Sequence, residues 1–168
     1  PQTITVSGWF SFSDIAASSG WQTLALKGDF TNSPFCDIPG CGNREFGLFL
    51  NNKDKRFELV VTPRSQIYTG GQEVCSTGSL SLANDKWYHV AGVIDATEAV
   101  TRIYVDGTLH ATCALPKPAQ PIRESTGKFI LGYMKGAVDE FKVYNRVLKD
   151  GEIKALYGNS EAIALYYQ

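Results

Sequence analysis

Long apolar runs are missing from this chain of 168 residues, and none approaches the ~20 residues that a bilayer-spanning helix needs. Charge of one sign is missing too. Sixteen Lys and Arg face 17 Asp and Glu, and a net charge of −1 gives no electrostatic footprint for nucleic acid or an anionic membrane. The one basic cluster, Lys53 to Arg56, lies between two apolar runs and reads as a solvated hairpin loop. No Asn-x-Ser/Thr sequon occurs, so N-glycosylation is not expected. No signal-peptide pattern precedes the first strand-like segment. The chain opens at Pro1 and alternates by Thr3, the start expected of a processed chain or an excised domain.

Cysteine is scarce but even in number, with four residues and therefore three possible pairings. Cys36 and Cys41 bracket a Pro-Gly turn in a loop with few apolar anchors, while Cys75 and Cys113 fall in strand-like segments. Locality favours Cys36–Cys41, which leaves Cys75–Cys113. A zinc site is the alternative, but there is no Cys-x-x-Cys and the two histidines fall outside finger spacing. Disulfides imply an oxidising, extracellular or cell-surface location.

Aromatic residues, by contrast, are plentiful: nine Phe, eight Tyr and three Trp. The apolar content is that of a folded domain, and 168 residues suit a single domain spanning 1–168. Period-two alternation dominates. In Thr3 to Phe12, Ile4, Val6, Gly8, Phe10 and Phe12 share one face and Trp9 takes the other. Further strands are expected at Trp21–Lys27, Phe46–Leu50, Arg56–Thr62, Glu73–Leu82, Trp87–Asp95, Arg102–Val105, His110–Leu115, Lys128–Tyr133 and Ala137–Asn145. The Asp106-Gly107 dipeptide marks a tight hairpin turn. Gly28–Glu45 and Pro116–Gly127 read as long loops. One helix begins with Asp150 as its cap and closes at Gly158, and Ala162–Tyr167 reads as one more strand. The sum is an all-β, two-sheet antiparallel sandwich of jelly-roll type with one short C-terminal helix.

Several segments then carry a resemblance: T-I-T-V-S-G-W-F, G-W-Q-T-L-A-L-K-G-D, K-W-Y-H-V-A-G-V-I-D, R-I-Y-V-D-G and G-A-V-D-E-F-K-V-Y-N-R-V-L-K-D-G-E-I. In this order they resemble the laminin-G-like jelly-roll domain of the concanavalin A-like lectin/glucanase superfamily. Members usually have a strand before T-I-T-V-S-G-W-F, which this chain lacks; residues 162–168 either fill that edge or begin a following repeat. The Cys36–Cys41 loop is not part of the family pattern. The fold hosts lectins, adhesion modules and some hydrolases, so it does not by itself assign a function.

The resemblance implies a structural calcium ion near the Ala137–Asn145 strand. Asp139, in phase with Ala137, Phe141 and Val143, is the first expected ligand, and its alternative is a hydrogen-bonded rim carboxylate. Asp29 and Asn43 are further metal candidates in the long loop. For a ligand, Trp9 offers a ring that either stacks on a sugar or packs beneath an outer loop. Trp21 stands at a loop–strand junction open to either role, and Trp87 is expected in the core. Tyr68, Tyr104 and Tyr133 are placed on a concave face, with Arg102 and Asp106 beside Tyr104 in a polar stripe. His89 shares a face with Trp87 and Ala91 and reads as structural. Retaining glycoside hydrolysis needs two carboxyl groups about 5 Å apart over one cleft. Asp139-Glu140, the nearest approach to such a pair, points to opposite faces of a strand, so no enzyme is expected. The expected function is a non-catalytic extracellular module binding a glycan with a structural calcium. The alternative is an adhesion or structural subunit that contacts protein neighbours or adjoining domains.

Overall fold

The computed structural model describes residues 3–15, 20–32, 42–62, 72–116 and 127–166, with 29–32, 42–44 and 159–166 described by backbone alone. Cys36, Cys41 and Tyr68 lie outside the described residues, as do the side chains of Asp29 and Asn43.

Alternation makes β1 (Thr3–Phe12) a two-faced strand. Ile4, Val6, Phe10 and Phe12 are buried in the main core, and the opposite face carries Trp9. The following strands are β2 (Trp21–Asn32), β3 (Gly42–Asn51), β4 (Arg56–Val61) and β5 (Glu73–Ser76). After them come β6 (Trp87–Asp95), β7 (Val100–Val105), β8 (Thr108–Ala114), β9 (Phe129–Tyr133) and β10 (Gly136–Tyr144), and the chain continues into α1 (Asp150–Tyr166). They form two five-stranded sheets, in the orders β10-β1-β6-β7-β8 and β5-β4-β3-β2-β9. Every pairing is antiparallel. The inner faces meet where β1 packs against Leu24, Leu48, Leu50, Phe57 and Leu59.

The Asp106-Gly107 turn is as expected. Val105 pairs with Thr108, and both turn residues have positive φ (+48° and +72°), the geometry that matches hairpin twist. Cys75 and Cys113 form a disulfide with Cα atoms 5.5 Å apart, joining β5 at the edge of one sheet to β8 at the edge of the other.

Four expectations are corrected. The 28–45 loop is shorter, because Gly28 pairs with Arg44 and Asn32 with Gly42, extending β2 and β3 into it. The 73–82 strand stops at Ser76, although Leu80 and Leu82 still pack on the core. Trp87 is not in the core: Tyr88 takes the inward position, and Trp87 is 41% exposed at the strand end. Residues 162–166 are helical, so that segment is not an edge strand.

The helix also caps differently. The Lys149 carbonyl accepts from Glu152 and Ile153, so Lys149 is the cap, and the Glu152 carboxylate reaches back to the Lys149 N–H at 2.9 Å. That contact, together with Arg146 at 2.7 Å, holds the Glu152 carboxyl down at about 2, with the Arg146 hydrogen bond the larger cause. Asp150, released from capping, instead accepts from the Tyr104 hydroxyl at 2.7 Å. The helix covers the outer face of the first sheet, where Ile153 and Leu148 are buried with Ala91, Val93 and Tyr104.

Candidate functional site

At one end of the second sheet, the start of β2 meets the end of β9, and Trp21 stands close to the position where Thr23 pairs with Tyr133. Both rings face solvent, Trp21 at 64% exposure and Tyr133 at 73%. They line an open cleft of about 360 Å³ with Asp14, Gln22, Asn52, Gly132, Met134 and Lys135.

Gln22 organises the cleft floor. Its side-chain amide donates to the Asp14 carbonyl at 3.1 Å and to Asn52 Oδ1 at 2.9 Å. Its Oε1 accepts the Lys135 N–H at 2.8 Å. One buried amide therefore ties three separate segments together, and leaving any of these bonds unmade would cost desolvation energy. Positive φ at Gly132 (+67°) and Gly136 (+153°) lets the chain bend around Met134 and Lys135.

The Trp21 ring is held by its edge. Its Nε1 donates to Glu58 Oε2 at 2.8 Å. The other Glu58 oxygen accepts from Asn51 at 3.0 Å and Arg56 at 2.8 Å. This buried carboxylate is thus neutralised and satisfied, which is what allows it to stay below the sheet surface. A ring fixed at its N–H edge keeps its face free for stacking. The Lys135 ammonium lies 2.8 Å from Asp14.

The other sequence candidates fall elsewhere. Trp9 stacks on Tyr157 of α1, with centroids 5.6 Å apart and planes at 25°, and also contacts His89. Tyr104 is 1% exposed beneath the helix rather than on a solvated stripe. Burial and then the Asp150 hydrogen bond push its hydroxyl pKa up. Arg102 bonds Glu98 at 2.6 Å beside a second, polar cleft at the helix start that also involves Asp95 and Lys149. Asp106 accepts the His89 N–H at 2.9 Å, stabilising the turn. His89 is structural as expected. It is buried, its Nε2 lies 2.9 Å from Ser7 Oγ, and its pKa is lowered to about 4 by burial and then by Lys142, with Glu140 opposing.

Asp139 does not face the core. Ser7 pairs with Lys142 and Trp9 with Asp139, so β10 carries an extra residue there, and Glu140 has φ +46°. This bulge breaks the phase: Val138 and Phe141 pack inward, while Asp139 is exposed and accepts the Glu140 N–H at 2.7 Å. Among the described residues no three His, Cys, Asp or Glu side chains gather as a metal site.

A family profile described as the concanavalin A-like lectin/glucanases superfamily matches residues 1–154. The chain belongs to this superfamily. Among curated proteins no match is found. Binding domains are among the solved structures similar to this superfamily member. The CBM40 of Ruminococcus gnavus IT-sialidase, bound to α2,3 sialyllactose, has a TM-score of 0.67 at 17% identity, covering 92% of this chain and 82% of that one. The botulinum neurotoxin serotype D ligand binding domain, in complex with N-acetylneuraminic acid, has a TM-score of 0.66 at 12% identity. The binding domain of botulinum neurotoxin DC, in complex with rat synaptotagmin II, has a TM-score of 0.64 at 12% identity. This chain is 94% covered in both toxin matches but spans only 36% and 35% of those chains. At such identities the likeness establishes the shared jelly-roll fold. No helix among the described residues is long and apolar enough to cross a membrane.

Of the cleft residues, the sequence marks Tyr133 as a ligand-binding side chain and leaves Trp21 open to either role. Gln22, Asn52 and Glu58 gave no sequence signal. They are single polar residues in strands and turns, and only the sheet pairing brings them together.

Proposed function

We propose that the chain is an extracellular, non-catalytic glycan-binding module, acting as one unit over 1–168, with its site in the Trp21–Tyr133 cleft. The observation that carries this is the pair of exposed aromatic rings on one cleft, one of them anchored at its N–H edge by Glu58. A pyranose presents a C–H face to such a ring and hydroxyls to the surrounding amide and charged groups, the mixture typical of small-ligand clefts. The glycan complexes of the similar structures support the reading. The absence of catalysis is supported by the state of the acids: Glu58 already meets three donors and Asp14 meets Lys135.

Calorimetric titration against glycans that score on an array tests it. Trp21→Ala and Tyr133→Ala should each weaken binding by about tenfold or more, on the scale of one lost stacking contact, with thermal stability unchanged in Tyr133→Ala and lowered in Trp21→Ala, which takes a partner from Glu58. Retained affinity in both variants would move the site elsewhere.

A protein neighbour is the second reading, favoured by the exposed Phe129, Leu131 and Val143 along the adjacent strands β9 and β10. It predicts concentration-dependent assembly with no glycan bound. Calcium remains a proposal for stability, with Asp29 and Asn43 as side-chain ligands and carbonyl groups supplying the remaining oxygens. An unchanged melting temperature after chelation would dismiss it.

A further inference from the structure

The charged groups around the cleft indicate which glycans it selects. Among the described residues, one carboxylate, Asp14, and one cation, Lys135, line it, and the buried Glu58 that holds the Trp21 edge is paired with Arg56, which also meets Asp54. Both cations are committed. Lys135 lies 2.8 Å from Asp14, while Arg56 lies 2.8 Å from Glu58 and 3.3 Å from Asp54. Among the described residues lining the cleft, Lys135 is the only cation. A ligand carboxylate entering here would have to share the Lys135 ammonium with Asp14, and it would approach a second carboxylate, Glu58, behind the Trp21 ring. A neutral sugar avoids that competition: it needs a ring face, which Trp21 and Tyr133 provide, and hydroxyl partners among the polar groups lining the cleft, such as Asn52 and Asp14.

Resting on the glycan-binding reading above, we infer that the cleft takes an uncharged glycan and discriminates against carboxylated sugars, unlike the similar structures whose ligands are sialic acids. Discrimination here is repulsive as much as attractive, since the one cation among the described cleft residues is already paired with a carboxylate. Affinity for the neutral ligand should change little with ionic strength, because no net charge is neutralised on binding.

Matched glycan pairs provide the test: a neutral oligosaccharide and the same oligosaccharide with a terminal sialic acid, each titrated against the intact chain at low salt and at about 0.5 M salt. The neutral member should bind at least about tenfold more tightly, with an affinity insensitive to salt. Asp14→Asn should free Lys135 and narrow that gap by raising the affinity of the acidic member. Tighter binding of the acidic member, weakened by salt and abolished by Trp21→Ala, would overturn the neutral preference while leaving the glycan site intact. Failure of every glycan of both classes to bind would instead remove the glycan reading itself. The two failures are therefore separable.

Discussion

A Cβ at position 136 would overlap the Ser11 carbonyl oxygen, and the backbone there has φ +153°. Gly136→Ala is accordingly expected to destabilise the fold by about 2–4 kcal/mol, combining conformational strain with a displaced β1–β10 pairing. A urea midpoint close to that of the parent chain would contradict this. His89 sets the second constraint at this scale. Its folded-state pKa of about 4 lies below the ordinary 6.5, so the unfolded chain binds the proton more tightly. Its contribution is therefore fully present above pH 6.5 and falls away as pH drops from 6.5 toward 4. The loss should be roughly 2–3 kcal/mol across that window. His89→Asn, which keeps a polar partner for Ser7, should flatten the slope of unfolding free energy against pH between those limits. An unchanged slope would place the acid sensitivity in another group.

Helix α1 shows how an element inherits its position from the sheet beneath it. Ile153 is buried against Ala91, Val93 and Tyr104, so Ile153→Ala should cost about 2–4 kcal/mol in chemical denaturation. Tyr104→Phe removes one hydrogen bond to Asp150 and should cost about 1 kcal/mol. A neutral Ile153→Ala would mean that the helix contributes nothing to the cooperative unit. At this scale sequence alternation is a sound guide in β1, whereas β6 and β7 are buried on both faces, so alternation there does not tell which residues meet solvent. It was misleading at β10, because a bulge is a property of the pairing: Asp139 alternates correctly with Phe141 on paper until the extra residue at Glu140 shifts it outward. The helix end was misread for a different reason. Gly158 looks like a stop but costs a helix only about 1 kcal/mol, and the Ala-Ile-Ala-Leu-Tyr segment after it is apolar enough to suit either state. The Trp21–Tyr133 cleft was only half legible. Its members come from positions 14, 21, 22, 52 and 132–135, and nothing local in the chain relates them.

The whole molecule is closed asymmetrically. On one side, β5 and β8 are joined by the Cys75–Cys113 bond, which spans 38 residues. In the chain-entropy account, a loop of that length stabilises the folded state by about 4 kcal/mol, so reduction should lower the unfolding free energy by roughly that amount. Identical melting curves with and without reductant would contradict this. On the opposite side, β9 and β10 are linked at one end by the short turn at Met134 and Lys135 and otherwise meet through side chains such as Phe129 and Phe141, whose centroids lie 5.7 Å apart. The sandwich therefore resembles a book with one stitched spine. Its pages should part first at the end of the fore-edge away from that turn, with amide protons around Phe129 exchanging earlier than those beside the bridge. Tyr133 sits on that fore-edge, while Trp21 sits on the strand next inward. A sugar lying across both rings would act as a clasp, slowing exchange in β9 without touching the spine.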